Sequence, residues 1–137
     1  MRLFFYILVL PFCVFASDSV EKVYEKHCSK CHIKENITVK ETVRRVGTLK
    51  APPFIEVSNR LKEQIIIKSG DEDIHREVVI SFIKHYIENP DMMIGMCNPG
   101  AFERFGEMPS LKGKLSDKET QAIAEWLYDN YEGEKFE

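Results

Sequence analysis

Long hydrophobic runs are scarce in this sequence, cysteines are few, and neither sign of charge dominates. A membrane-spanning helix needs about 20 apolar residues, whereas the charge-free run over residues 3–15 is shorter and carries Pro11. There is no internal repeat and no low-complexity, collagen-like or disordered stretch, since apolar residues make up 44% and charged residues 30% of the chain, an ordinary globular balance. Its 137 residues suffice for one compact domain and are too few for two, so a single site should account for function. A formal net charge of −3 supplies no electrostatic reason to bind nucleic acid.

The first residues differ in kind from the rest. Arg2 precedes the apolar run, and Val14 and Ala16 stand at the two positions a signal peptidase reads. The pattern predicts a secretory signal over residues 1–16, cleaved after Ala16, and an exported, periplasmic domain over residues 17–137; an uncleaved membrane anchor is the rival expectation. Cys13 follows Leu10-Pro11-Phe12, without the small residue that normally precedes a lipidated cysteine. Cleavage would remove the positive charge of Arg2 and take the net charge from −3 to −4. Cys28, Cys31 and Cys97 then remain, an odd set that cannot all pair within one chain, so a disulfide framework does not explain them.

Helical periodicity dominates the remainder of the chain. Val20, Val23, Tyr24, His27 and Cys31 fall on one helical face, with Asp18 as cap and Glu21 as a first-turn acid. After a polar stretch over 34–50, Pro52 and Pro53 open a second helix with Phe54, Val57, Leu61 and Ile65 on one side, expected to end at Gly70. The β-branched run within 64–67 suits an extended chain equally well. A third helix is predicted from Asp71–Asp73 through Val78, Val79, Phe82, Ile83 and Tyr86 to a stop at Asn89-Pro90. Residues 91–114, rich in Gly, Pro and Met, predict a long ordered loop with one helical turn at 101–105. Loops of that length within a compact domain are usually functional. In the last helix, Ser116 and Glu119 form a capping box, and Ala122, Ile123, Trp126, Leu127 and Tyr131 make an apolar face. The expected fold class is all-α, helices and loops held around a central group.

The chemistry concentrates in Cys28-Ser29-Lys30-Cys31-His32, the CxxCH pattern of c-type haem attachment. Residues at i and i+3 of a helical turn share a face, so two thiols can reach the two vinyl groups of one porphyrin. His32 then projects beneath the ring, where its imidazole can ligate the iron. A thioredoxin-like dithiol would belong near a βαβ pattern, which is absent. A zinc site would need a second pair of Cys or His at ligand spacing, yet beyond this motif and His27 only Cys97, His75 and His85 remain, far apart.

The early CxxCH, the loop Gly106-Glu107-Met108-Pro109-Ser110-Leu111 and the closing helix over 115–131 together resemble a small single-haem class I cytochrome c of exported bacterial type. The resemblance implies a cytochrome c-like fold wrapped around one covalently attached haem c, with the terminal helices crossing beside it. It also implies a methionine just before a proline, here Met108, as the second axial ligand. The residue chemistry agrees, because a soft neutral thioether favours ferrous iron and closes the second axial position. Gly106, through unusual backbone angles, and Pro109, through rigidity, would fix the approach of the sulfur.

Other side chains compete for roles. Met92, Met93 and Met96 are rival ligands, though a methionine in an apolar setting is more often a gap-filler. His75 lies on the apolar face of the third helix, where a buried hydrogen-bonded histidine is favoured over a second haem ligand. His85 sits near the edge of that face, and His27 is expected to pack against the haem or a neighbouring helix. Cys97 ranks first as a small buried hydrophobe, then as an intermolecular disulfide or a reactive thiol. Trp126 and Tyr131 are read as core, and Arg104, Lys112 and Lys114 as candidates to pair with haem propionates, although exposed, solvated charge is the commoner fate of such residues.

The function expected is electron transport by haem iron, without substrate turnover, between redox partner proteins that dock transiently. Two alternatives stand beside it: a haem-bearing subunit of a larger redox enzyme, and a haem sensor or peroxidase with an open distal position.

Overall fold

The computed structural model describes residues 17–137, and the expected signal segment 1–16 lies outside them. Among the described residues there is no strand. The chain forms α1 (Ser17–Val23), which runs into a π-helical segment (Tyr24–Cys28), then α2 (Val39–Arg45), α3 (Phe54–Gln64), α4 (Glu72–Glu88), α5 (Pro99–Phe105) and α6 (Asp117–Asp129). The all-α expectation holds.

The local chemistry that starts each helix is visible at its first turn. Asp71 accepts from the Ile74 amide to cap α4, and Asn98 accepts from the Gly100 amide ahead of Pro99 in α5. At α6 the Ser116 side chain accepts from the Glu119 amide while the Glu119 carboxylate accepts from the Ser116 amide, the full reciprocal box.

α6 is the hub of the fold and packs against α4, α1 and α3. The core gathers Val23 and Tyr24 from the N-terminal helix, Phe54, Ile55 and Leu61 from α3, Val79, Ile80 and Ile83 from α4, and Ile123 and Leu127 from α6. Ala124, with no exposed surface, lets α6 pack closely against its neighbours, and burial of this apolar set is the main term favouring the fold. Arg76 clamps α4 to α6 by donating from Nε and Nη2 to the two carboxylate oxygens of Asp129 at 2.9 and 2.6 Å.

Three expectations are corrected. The polar stretch 34–50 contains α2, whose cap Thr38 accepts from the Glu41 amide at 3.2 Å. α3 ends at Gln64 rather than at Gly70: Ile65 turns to extended backbone (φ −88°, ψ 105°), the alternative that the β-branched run within 64–67 left open. The first helix does not carry Cys31 on its buried face: the Ser29 amide reaches the Tyr24 carbonyl at 2.9 Å, the wide i to i−5 closure of a π-turn, and Cys31 lies beyond it, exposed.

Candidate functional site

The π-turn delivers the chain directly into the CxxCH motif. The amides of Cys31 and His32 both point back to the Cys28 carbonyl, at 3.0 and 2.9 Å, so the motif forms one helical turn with its two thiols three residues apart. π-turns within helices occur frequently at functional sites. The Tyr24 hydroxyl donates to the His32 carbonyl at 3.0 Å and pins the backbone of the histidine.

His32 is fixed by its side chain as well. Its Nδ1 lies 2.8 Å from the Pro52 carbonyl, and since a carbonyl can only accept, Nδ1 carries the proton and Nε2 keeps a free lone pair. That is the tautomer of a metal-ligating imidazole, with the ring oriented by its outer hydrogen bond. Burial holds the His32 pKa below the ordinary imidazole value, which keeps the ring neutral. Burial, reinforced by the neighbouring Cys31, pushes the Cys28 thiol up to about 11, so it rests protonated rather than as a free thiolate.

Cys28, Cys31, His32 and Met108 line a single cavity of about 250 Å³. A water molecule needs only about 10–15 Å³ on that measure, so this is no packing defect. Its walls are mostly apolar, with Phe54 and Leu61 from α3, Phe82 and Ile83 from α4, and Phe102 and Phe105 from α5. The loop over 91–114 closes the remaining side and is tied down at several points. The Leu111 amide donates to the Ile87 carbonyl at 3.0 Å, the Ser110 hydroxyl to the Glu88 carbonyl at 2.5 Å, and the Met92 amide to the Glu107 carboxylate at 3.0 Å. Met108 thus sits between anchored neighbours. Gly106 takes φ +72°, a left-handed angle that only glycine adopts at no cost, as expected of it.

The rival residues separate clearly. Met92 and Met93 are exposed (52% and 90%) and do not line the cavity, whereas Met96 does. His75 is outside it, with Nε2 2.9 Å from the Ile65 carbonyl and Nδ1 3.0 Å from the Tyr128 hydroxyl, so neither nitrogen is free for metal. His27 lines the cavity and His85 does not. Cys97 lines it as a partly buried free thiol whose pKa burial raises. Trp126 packs against Tyr24, Phe54 and Tyr131 in the core.

The expected propionate candidates Arg104, Lys112 and Lys114 are exposed, the commoner fate of such charges: Arg104 lies over the Phe105 ring, Lys114 donates to the Ser110 carbonyl, and none of the three lines the cavity. Among the described residues, the Lys and Arg side chains that do are Lys50 and Arg60, which sequence reasoning missed. Arg60 lies two residues past Ser58 on a helix whose apolar face was legible, but nothing local marks which of its charges turns inward.

Among the described residues no three His, Cys, Asp or Glu side chains converge as a metal site of their own. The donor set fits a large apolar group bringing its own metal: two thiols, an imidazole with a free Nε2, a thioether and two cations around an apolar cavity. These are the features of a c-type cytochrome.

The chain belongs to the family described as cytochrome c oxidase, cbb3-type, subunit III, whose model matches residues 16–127, and it is a c-type cytochrome domain that binds haem c and serves electron transfer with redox partners. It is similar to an uncharacterized protein of Aquifex aeolicus (strain VF5), 38% identical over 143 residues that cover 96% of this chain and 89% of that protein. No solved structure matches at significance. Among the described residues, no helix is long and apolar enough to cross a membrane.

Proposed function

We propose that Cys28 and Cys31 carry one haem through two thioethers, that His32 Nε2 and Met108 sulfur are the axial ligands of its iron, and that the exported domain is a periplasmic single-electron carrier. The observation that carries this reading is that four residues from the two ends of the chain line one apolar cavity. When bound, the haem supplies a one-electron ferric/ferrous couple.

The residues of the chain do the rest. The Pro52 carbonyl holds the Nδ1 proton of His32 and so presents Nε2 as a base. The anchored loop holds the Met108 thioether in place, and a thioether ligand raises the potential and closes the iron to exogenous ligands. The aromatic and aliphatic walls would surround the haem with apolar contacts, which limits the reorganisation that accompanies a change of charge. Lys50 and Arg60 offer counter-charges for the propionates.

The test is the visible spectrum of the purified mature protein and of Met108→Ala. Sharp low-spin c-type bands on reduction are expected, with a weak far-red sulfur-to-iron band in the oxidised wild type that is lost in the variant. Absence of that band from the wild type, or its survival in the variant, overturns Met108 ligation.

The family description favours a second reading, in which the same domain feeds electrons within a larger redox enzyme. Co-elution with a partner from the native membrane or periplasmic fraction supports it; a monomer supports the free carrier.

A further inference from the structure

The hydrogen bond from His32 Nδ1 to the Pro52 carbonyl fixes one point on the imidazole edge. A single bond of this kind leaves the ring free to rock about the line joining the two atoms. A neighbouring ring stops that motion: Phe54 stacks on the His32 ring with centroids 4.7 Å apart and planes 26° from parallel, close to the offset arrangement that aromatic pairs favour.

Phe54 is itself immobilised from three directions. Its amide donates to the Ile33 carbonyl at 3.0 Å, one residue past the histidine. Its ring meets Tyr24 edge-on at 5.8 Å and Trp126 edge-on at 6.0 Å, and only 6% of the residue is exposed. Tyr24 closes the circuit by donating to the His32 carbonyl. The imidazole therefore meets an in-plane constraint from Pro52 and an out-of-plane constraint from Phe54, both delivered by the same short segment at the start of α3.

We infer that Phe54 is a positioning residue for the axial imidazole, setting the rotation of the His32 plane and with it the ligand field at the iron. The inference rests on the proposed ligation by His32. A residue that merely filled the core would be replaceable by any side chain of similar apolar bulk, whereas a stacking residue needs a ring.

The experiment compares wild-type holoprotein with Phe54→Tyr, which keeps the ring, and with Phe54→Leu and Phe54→Met, which do not; two ringless variants guard against the misfolding of one. The oxidised proteins are frozen and their low-spin electron paramagnetic resonance is recorded. In the ringless variants the largest g value is expected to shift and its line to broaden, while Phe54→Tyr superposes on wild type. Ringless variants that superpose on wild type, or a Phe54→Tyr signal displaced as far as theirs, overturn the inference. A wild type without a low-spin histidine-ligated signal instead overturns the ligation by His32, a distinguishable failure.

Discussion

The Tyr131 hydroxyl donates to the Lys34 carbonyl at 2.7 Å, joining the end of α6 to the segment just past the CxxCH turn across 97 positions of sequence. With only 1% of Tyr131 exposed, this bond closes the fold behind the site. A typical intramolecular hydrogen bond contributes about 1 kcal/mol net. Tyr131→Phe should therefore lower the denaturant-unfolding free energy of the holoprotein by about that amount while leaving its visible spectrum unchanged.

The same tyrosine predicts an alkaline instability. Burial pushes the hydroxyls of Tyr131 and Tyr86 up to about 12, against about 10 in an unfolded chain. Folding thus favours their neutral forms. The stability they contribute is full below about pH 10 and is lost as pH rises towards 12. Urea midpoints measured across that window should fall in the wild type and fall less in Tyr131→Phe.

Substitution of the methionines by alanine should divide them. Met92→Ala and Met93→Ala, at exposed positions, should retain the far-red band and unfold within about 0.5 kcal/mol of wild type. Met108→Ala should lose the band and bind carbon monoxide rapidly when reduced. Met96→Ala should keep the band but lose stability, since its side chain packs against the core; loss of the band from this variant instead would transfer the ligand role to Met96.

Arg60→Leu should lower the midpoint potential, because a cation at the cavity favours the iron state of lower positive charge. The exposed Arg44, ion-paired with Glu41 on α2 and outside the cavity, is the control, and Arg44→Leu should leave the potential unmoved. Potentiometric titration reads both.

His75→Phe should cost about 1–3 kcal/mol, since it leaves the Ile65 carbonyl and the Tyr128 hydroxyl without their partner. The spectrum should not change. A changed spectrum would make His75 a ligand.

Much of this molecule was legible because the signals are short. The capping box at Ser116 and Glu119, the start of α4 near Asp71 and the helical turn of the CxxCH motif are each written within a few residues, and each formed as expected. α2 was equally capped, by Thr38 against the Glu41 amide, but it spans only seven residues and exposes Val39 and Val43, so no buried stripe announced it. Short helices of this kind depend on tertiary contacts rather than on periodicity.

By itself the sequence determined the all-α class, the position of the thiol pair with its histidine, and the loop that presents Met108, because spacing, caps and turn residues act through neighbours along the chain. Only the tertiary structure decided which partners those residues meet. The early end of α3 goes with the Ile65 carbonyl accepting from His75, the His32 tautomer depends on Pro52, and the ring plane depends on Phe54. The choice of Lys50 and Arg60 over Arg104, Lys112 and Lys114 as cavity cations has the same origin. Exposure and direction of a side chain are set by what packs across from it, and that is fixed only when α1, α3 and α4 close on α6.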